Sequence, residues 1–510
     1  MNGSRLPART TSLDFEWRPD PSSAVPLFRQ LVQHVRGQIV NGSLAPGTQL
    51  PAQRALAERL GVNRSTIVAA YQELQADGLI AGRAGGGTVV CVPQADDEAG
   101  AGTHDWQDLL DRGAFVHDRS LAAEVAQARL LPATISLAQG ELAASLRPTA
   151  PLQELFRAAP VSAEWLGYED AYGYQPLREA IAAHMARRGV SARRANVLIV
   201  AGAQQGLYLI CRGLLQPGDT VIVEAPSYLL TLGVLQMAGV RILRAPLDQY
   251  GLIPDRLEEL LARHRVAMVF TVPAYQNPTG AVLATARRAA LLRLCERYRV
   301  PLVEDDVYGE LGFDGAAPVP LYALDQGSHV IYVSSLSKSV APGLRTGWLL
   351  GPPHLIKRLA EMKYQMHYGS SMVPQWVAQQ WLEGGDHDVH LVQVRRALRE
   401  RRDVLERELR AQLGSCLSWL QPGGGFHLWA RVRAPISSTD LFRQALRAGV
   451  SIKPGSLYGV PARACWIRLS FQHAAIADLR VAPRILRAVI DELASVSGDA
   501  EGWLSDAAGI

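Results

Sequence analysis

The sequence predicts an α/β chain with a small helical module ahead of it, and three observations support that. Residues 26–92 read as three helices and a short hairpin; residues 93–105 are Ala, Gly and acidic residues with little apolar content; from about residue 133 short apolar strands alternate with longer helical patterns. The last rhythm predicts a mostly parallel large-domain sheet with ligands at the carboxyl ends of its strands, and a smaller α+β domain after about residue 354. The expected division is 1–25 a disordered lead, 26–92 the helical module, 93–132 a linker and connecting helix, 133–495 the large α/β portion and 496–510 a tail.

Composition narrows the classes. With 510 residues, 48% hydrophobic and 20% charged, the chain can bury a large core. A net charge of +4 is too small to indicate nucleic acid by itself. Cys91, Cys211, Cys295, Cys416 and Cys465 are scattered, odd in number and never spaced as CxxC, which argues against a disulfide framework or a zinc site and fits a reducing cytoplasm. The most apolar stretch, Tyr228 to Val240, is interrupted by Thr231, Gly233 and Gln236, so no membrane span is expected. Of 52 basic residues only those at 338, 357, 363 and 453 are lysines, so a lysine inside a specific motif carries weight.

In the helical module, Leu27, Leu31, Val35 and Ile39 recur every fourth residue and define one helical face, which Asn41-Gly42-Ser43 ends. Pro51 opens a second helix and Gly61 closes it; Arg64 to Ala76 forms a third, with Ile67, Ala70, Tyr71 and Leu74 on its buried side. Gly78-Leu79-Ile80 and Thr88-Val89-Val90 flank the Gly85–Gly87 tip of a hairpin. This is the order of a winged helix-turn-helix, whose second motif helix reads bases in the major groove with its N-terminal residues. Here those are Asn63, Arg64, Ser65 and Thr66, with Arg54 placed to reach the backbone of operator double-stranded DNA. Six arginines against Glu58, Glu73 and Asp77 give the module a local positive excess suited to phosphate.

In the α/β portion, strands are expected at Val197–Val200, Thr220–Glu224, Val240–Leu243, Val266–Thr271, Pro301–Glu304, Val330–Val333 and Gly347–Leu350, and later at Phe426–Ala430 and Trp466–Ser470. Their ends carry the parts that pyridoxal 5′-phosphate (PLP) needs. Lys338 is the candidate Schiff-base lysine. Asp305 suits the pyridinium nitrogen. Tyr308 and Asn277 can reach the 3′ oxygen. Gly202, Ala203 and Gln204 open a helix towards an anion, and Ser335, Ser337 and Arg345 offer hydroxyls and a rigid cation to a phosphate. Tyr228, after Ala225-Pro226-Ser227, can stack on the ring. Singly, Tyr228 and Tyr308 read as packing residues, Arg468 as a surface arginine and Lys338 as a solvated lysine; the ordered set carries the chemistry.

Residues 26–92 resemble the winged-helix domain of the GntR family, including Leu44-Ala45-Pro46-Gly47-Thr48-Gln49-Leu50-Pro51 and Asp77-Gly78-Leu79-Ile80, with Ala52-Gln53 where many relatives carry hydroxyl or acidic residues before the arginine. Residues 133–490 resemble class I/II aminotransferases of PLP fold type I, through Asn277-Pro278-Thr279-Gly280, Asp305 with Tyr308, Ser335-Leu336-Ser337-Lys338 and Arg345, departing from them at Ala203, where relatives often carry a hydroxyl residue. That resemblance implies that Tyr168 reaches the phosphate in the partner subunit, that Arg468 grips a substrate carboxylate, and that Pro422 to Phe426 lies near the substrate. The whole chain resembles the MocR subfamily of GntR regulators, which implies a PLP-dependent transcriptional regulator, working as a domain-swapped homodimer and sensing an amino acid, an amine or PLP itself. A catalytically active aminotransferase with an appended DNA-binding domain is the alternative that the same residues leave open.

Overall fold

A computed structural model describes residues 17–91 and 121–498, apart from 24, 41–42, 46, 84–86, 129–130, 132–133, 232, 316, 326–328 and 462–463. The expected linker at 93–105 and the Gly85-Gly86 part of the hairpin tip fall outside the described residues. The chain folds as two compact units, Met1–Leu109 and Leu110–Ile510.

The first unit contains α1 (Leu27–Val40), β1 (Gln49–Leu50), α2 (Gln53–Leu60), α3 (Arg64–Ala76), β2 (Ile80–Arg83) and β3 (Gly87–Val90), with the strands in the order β1-β3-β2. Its core joins Leu31 and Val35 of α1, Leu56 and Leu60 of α2, and Ile67, Ala70, Tyr71 and Leu74 of α3. The second helix starts two residues after Pro51 and ends at Gly61, whose φ of 65° is a left-handed cap that favours glycine. Asn63 caps α3 by accepting the Ser65 backbone N–H at 3.0 Å. Trp17, in the stretch expected to be a disordered lead, stacks on His34 with ring centroids 4.5 Å apart.

Among the described residues, the first elements of the second unit are α4 (Leu121–Ala128) and β4 (Ile135–Ser136). Its main sheet runs β5 (Val197–Val200), β12 (Gly347–Leu350), β11 (Val330–Ser335), β10 (Leu302–Asp305), β9 (Met268–Thr271), β6 (Thr220–Ala225), β7 (Arg241–Asp248), β8 (Gly251–Leu252). The centre, from β11 to β7, is parallel. Strands buried on both faces, such as Val-Leu-Ile-Val of β5, read as continuous apolar runs, which is why they show as short hydrophobic blocks and not as alternation. By contrast β12 is antiparallel to both neighbours. A parallel return needs a crossover of about a dozen residues or more, and residues 336–346 fold instead as a tight connection that holds Lys338 and Arg345.

A second, antiparallel sheet of β13 (Leu417–Trp419), β14 (His427–Val432), β17 (Trp466–Ser470) and β16 (Lys453–Pro454) forms the smaller α+β domain. The long helices Asp386–Leu413 and Ile476–Gly498 cover it, burying Leu398, Leu405, Leu409, Leu479 and Leu486. Each such side chain contributes about 1.5–3 kcal/mol relative to exposure. β15 (Val450–Ser451) pairs in parallel with β4, tying the start of this unit to the smaller domain.

Candidate functional site

The DNA-facing candidates lie at one end of α3. Asn63, Arg64 and Ser65 are exposed and Thr66 is half-buried, while Ile67 directly behind them is fully buried and fixes the helix. Ser65 Oγ also donates to Asn63 Oδ1 at 3.0 Å, so Asn63 combines capping with exposure of its amide NH2. Arg54 is 84% exposed at its side chain and lies 3.2 Å from Glu58 one turn on. Sequence reasoning missed this capping role, although Asn before a helix start is a known signal.

In the second unit, Gln204, Tyr228, Asn277, Tyr308, Lys338 and Arg468 line one cavity of about 550 Å³. The ends of parallel strands place them: Asp305 is the last residue of β10, Tyr308 lies three residues on, Asn277 follows β9, and Lys338 follows β11. The Lys338 Nζ donates to the Gly140 carbonyl at 2.5 Å. Burial, reinforced by the Arg468 cation and opposed by Asp305, pushes the Lys338 amine down to about 8. Asp305 is fully buried, and burial pushes its carboxyl up to about 6 against a hydrogen bond from Tyr228. The Tyr228 hydroxyl donates to Asp305 Oδ2, while Asp305 Oδ1 has no partner among the described residues. Tyr228, expected to stack on the cofactor ring, thus also orients the carboxylate.

Around these, Arg468 Nη1 donates to Asn277 Oδ1 at 3.0 Å and its Nη2 to the Ala138 carbonyl. The Tyr308 hydroxyl lies 3.2 Å from His427 Nε2, and His427 Nδ1 lies 3.0 Å from Ser470 Oγ. Gly424 and Gly425, in the run expected near the substrate, pack on Tyr275; a Cβ at Gly424 would sit 2.4 Å from that ring.

The phosphate candidates sit beside this cavity. Gly202 has φ +83° and precedes helix Ala203–Leu214; a Cβ there would lie 2.9 Å from Arg345 Nη2. Arg345 is exposed, adopts the left-handed region at φ 50°, donates to the Ala201 carbonyl at 2.5 Å and lines a neighbouring cavity of about 300 Å³. Ser335 is buried, and its Oγ accepts the Ser337 N–H at 3.3 Å. Tyr168 lines neither cavity: it is 85% exposed and tilts against Tyr368 at 5.2 Å. Ala122, Val125 and Ala126 of α4, Gln139 to Glu141, Lys453 and Leu457 also line the larger cavity. Sequence reasoning missed these, since only the folded chain brings α4 and β16 to this cleft.

Comparison with known proteins agrees with this geometry. Residues 133–482 match the aminotransferase class I and II family, and residues 27–90 match the gntR family of bacterial regulatory proteins. The chain is 38% identical to the uncharacterized HTH-type transcriptional regulator YdfD of Bacillus subtilis over 92% of its own length and 98% of that protein. It belongs to the GntR-type transcriptional regulators that carry an aminotransferase class I and II domain. Another relative in this group, the HTH-type transcriptional regulator NorG of Staphylococcus aureus, is 30% identical over 83% of this chain and 95% of NorG. Among solved structures, kynurenine aminotransferase from Pyrococcus horikoshii, in complex with PMP, superposes with a TM-score of 0.71 at 30% identity, covering 76% of this chain and 98% of that one. LysN, the α-aminoadipate aminotransferase of Thermus thermophilus, complexed with N-(5′-phosphopyridoxyl)-L-leucine, superposes at 0.71 with 28% identity, over 77% of this regulator and 100% of that enzyme. Among the described residues of this regulator, no helix is long and apolar enough to cross a membrane.

Proposed function

We propose that the protein is a DNA-binding transcriptional regulator that holds PLP in the Lys338 cavity and responds there to an amino compound. One observation carries the cofactor assignment: the buried Asp305 Oδ1 lacks a partner among the described residues, while Tyr228 holds the opposite oxygen. A buried carboxylate oxygen is costly to leave unpaired, and a pyridinium N–H is a group that fits it. The cradle is consistent, since Gly202 leaves the space beside Arg345 that a Cβ would fill.

When bound, PLP supplies a carbonyl for amines and an electron-withdrawing ring. Asp305 holds the ring-nitrogen proton. Tyr308 and Asn277 direct a hydroxyl and an amide at the 3′ oxygen. Arg345, Ser335, Ser337 and the amides of Gly202, Ala203 and Gln204 hold the phosphate. Lys338, its amine lowered to about 8, is neutral in a useful fraction of molecules near neutral pH, which suits attack on a carbonyl. Arg468 presents a fork to the carboxylate of an incoming amino acid. Occupancy changes DNA affinity only as far as the amino compound prefers one arrangement of the large and small domains.

In this reading residues 26–92 form the reading module, with Arg64, Asn63, Ser65 and Thr66 at bases and Arg54 at phosphate, 93–132 connect it, and 133–495 sense. The protein works as a domain-swapped homodimer. Support comes from Leu166 and Tyr168, 80% and 85% exposed, the latter tilted against the exposed Tyr368: apolar surface of this kind calls for a covering partner, and Tyr168 then completes the phosphate site of the other subunit. Cytoplasmic residence follows from operator binding and suits five free cysteines.

A second reading, turnover as an aminotransferase, is favoured by the retained set of Lys338, Asp305, Tyr308 and Arg468 and by fold neighbours that are themselves aminotransferases. Gel shifts on the DNA upstream of the gene, with apo and PLP-loaded protein, test the first reading; multiple turnovers of an amino donor with an oxo-acid acceptor select the second.

A further inference from the structure

We propose that Ser470 and His427 are positioning residues that aim the Tyr308 proton at the 3′ oxygen of bound PLP, so that the smaller domain sets the charge state of the cofactor. The inference rests on the cofactor assignment above and adds two residues to it.

His427 opens β14, Ser470 closes β17, and the two are direct antiparallel partners. Directly opposed residues project from one sheet face with Cβ atoms about 5 Å apart, and here His427 Nδ1 lies 3.0 Å from Ser470 Oγ. The other ring nitrogen, Nε2, lies 3.2 Å from the hydroxyl of Tyr308, a residue of the larger domain. All three side chains are buried, so a proton left without an acceptor there is costly.

The direction of these bonds follows from the protons available. Burial, then the cations of Arg468, Lys338 and Lys453, hold the His427 imidazole well below the usual histidine range, so the ring is neutral and carries one N–H. Among the described residues, His427 Nδ1 is the hydrogen-bond partner of Ser470 Oγ. A buried hydroxyl with a single acceptor donates to it, which makes Nδ1 the acceptor and leaves the ring proton on Nε2. Nε2–H then donates to the Tyr308 oxygen. Asn277 Oδ1 is held by Arg468 Nη1 at 3.0 Å, which leaves the Asn277 NH2 to bond the same Tyr308 oxygen. Burial above all pushes the Tyr308 phenol up, so it keeps its own proton. With its oxygen engaged as an acceptor, Tyr308 has its O–H left to offer to the cavity that it lines. The opposite tautomer of His427 would draw that proton onto Nε2 and away from the cofactor.

The test is a pH titration of the full-length, PLP-loaded protein, read by cofactor absorbance. It compares the wild type with Tyr308→Phe, His427→Leu, Ser470→Ala, Ser470→Cys and the double variant Tyr308→Phe/Ser470→Ala. A donor at the 3′ oxygen favours its charged form and lowers the midpoint at which the loaded cofactor gives up its proton. Loss of that donor is expected to raise the midpoint by about one unit, a tenfold change in proton affinity. Arg468, Lys338, Lys453 and Asp305, the charged groups that face His427 and Tyr308, are the same in every variant. Ser470→Ala removes a hydroxyl bonded to His427, yet raises the midpoint in the same direction as His427→Leu and Tyr308→Phe. Ser470→Cys, with its weaker donor, raises it less. The double variant matches Tyr308→Phe, because Ser470 acts through Tyr308. A wild-type midpoint in Ser470→Ala and His427→Leu, or a double variant whose shift is the sum of the single shifts, overturns the inference while leaving PLP binding intact. Where Ser470→Ala does not fold, an unchanged midpoint in Ser470→Cys overturns it equally. A wild-type protein that takes up no PLP overturns the cofactor reading itself, and this inference with it.

Discussion

Glu310 and His184 meet inside the second unit, Glu310 Oε1 lying 3.1 Å from His184 Nε2. The other Glu310 oxygen lies 3.4 Å from His387 Nε2, whose Nδ1 accepts from the Trp381 indole N–H at 3.1 Å. That indole bond leaves the proton of a neutral imidazole at His387 on Nε2, facing the carboxylate. The trio anchors the C-terminal side of the segment that carries Asp305, bonded by Tyr228, and Tyr308, which lines the Lys338 cavity, while Asp306 is held by Arg188 at 2.7 Å.

Glu310→Gln is therefore expected to destabilise the second unit by about 2–3 kcal/mol, measured by urea unfolding. Burial alone would raise the Glu310 carboxyl, yet His184 and His387 outweigh it and hold it well below 4.5. A depressed folded-state value stabilises the fold above the unfolded-state value. The difference between wild type and variant is then full above about pH 4.5 and shrinks as the pH falls towards the folded-state value. A difference that grows on acidification contradicts this.

Lys338 sets a pH dependence of its own. Its neutral amine is the reactive form, so the rate at which apo protein takes up PLP rises with pH through a midpoint of about 8, because burial and Arg468 lower it. Stopped-flow absorbance at a series of pH values reads this; a midpoint near the ordinary lysine value of 10.5 refutes the buried, cation-flanked amine.

Much of this architecture was legible in the sequence, and the rest was hidden for identifiable reasons. Helix Arg64–Ala76 shows itself because Ile67, Ala70, Tyr71 and Leu74 repeat at helical spacing, while the Asn63 cap that starts it went unread. Val197–Val200, between Asn196 and Ala201-Gly202, and Gly347–Leu350, between Thr346 and Gly351, are apolar runs whose limits read directly. β7 was expected to end at Leu243 but runs to Asp248, because it extends past the sheet edge to pair with β8. No local pattern shows that Leu121–Ala128 walls the cavity or that Lys453 faces Arg468, since both depend on pairings between β4 and β15 and between β16 and β17 across hundreds of residues or a sheet register. The Tyr308–His427 contact is hidden likewise: it joins residues from the two domains.

Arg468→Ala is expected to weaken amino-acid binding about 10–100-fold, the loss of a charge-assisted, two-pronged contact. Amines without a carboxylate should bind almost as before. Absorbance titrations of PLP-loaded protein with paired amino acids and decarboxylated amines decide it; equal losses for both indicate that Arg468 instead supports the cavity through Asn277 and Ala138.

On the DNA side, Arg64→Ala is expected to cost about 1–3 kcal/mol on operator and to relax sequence preference, while Arg54→Ala weakens all duplexes alike and lowers the salt slope by about one. Fluorescence anisotropy on operator and scrambled DNA at several salt concentrations separates the two. Exchange of these behaviours between the two arginines contradicts the assignment of Arg64 to bases and Arg54 to phosphate.

The most direct test of the account is operator binding as a function of the cofactor: gel shifts on the DNA upstream of the gene with apo protein, PLP-loaded protein and Lys338→Ala. The account predicts a sequence-specific shift that depends on PLP and is altered in Lys338→Ala. Identical shifts in all three forms, or none in any of them alongside turnover of amino donors, would contradict a cofactor-gated regulator.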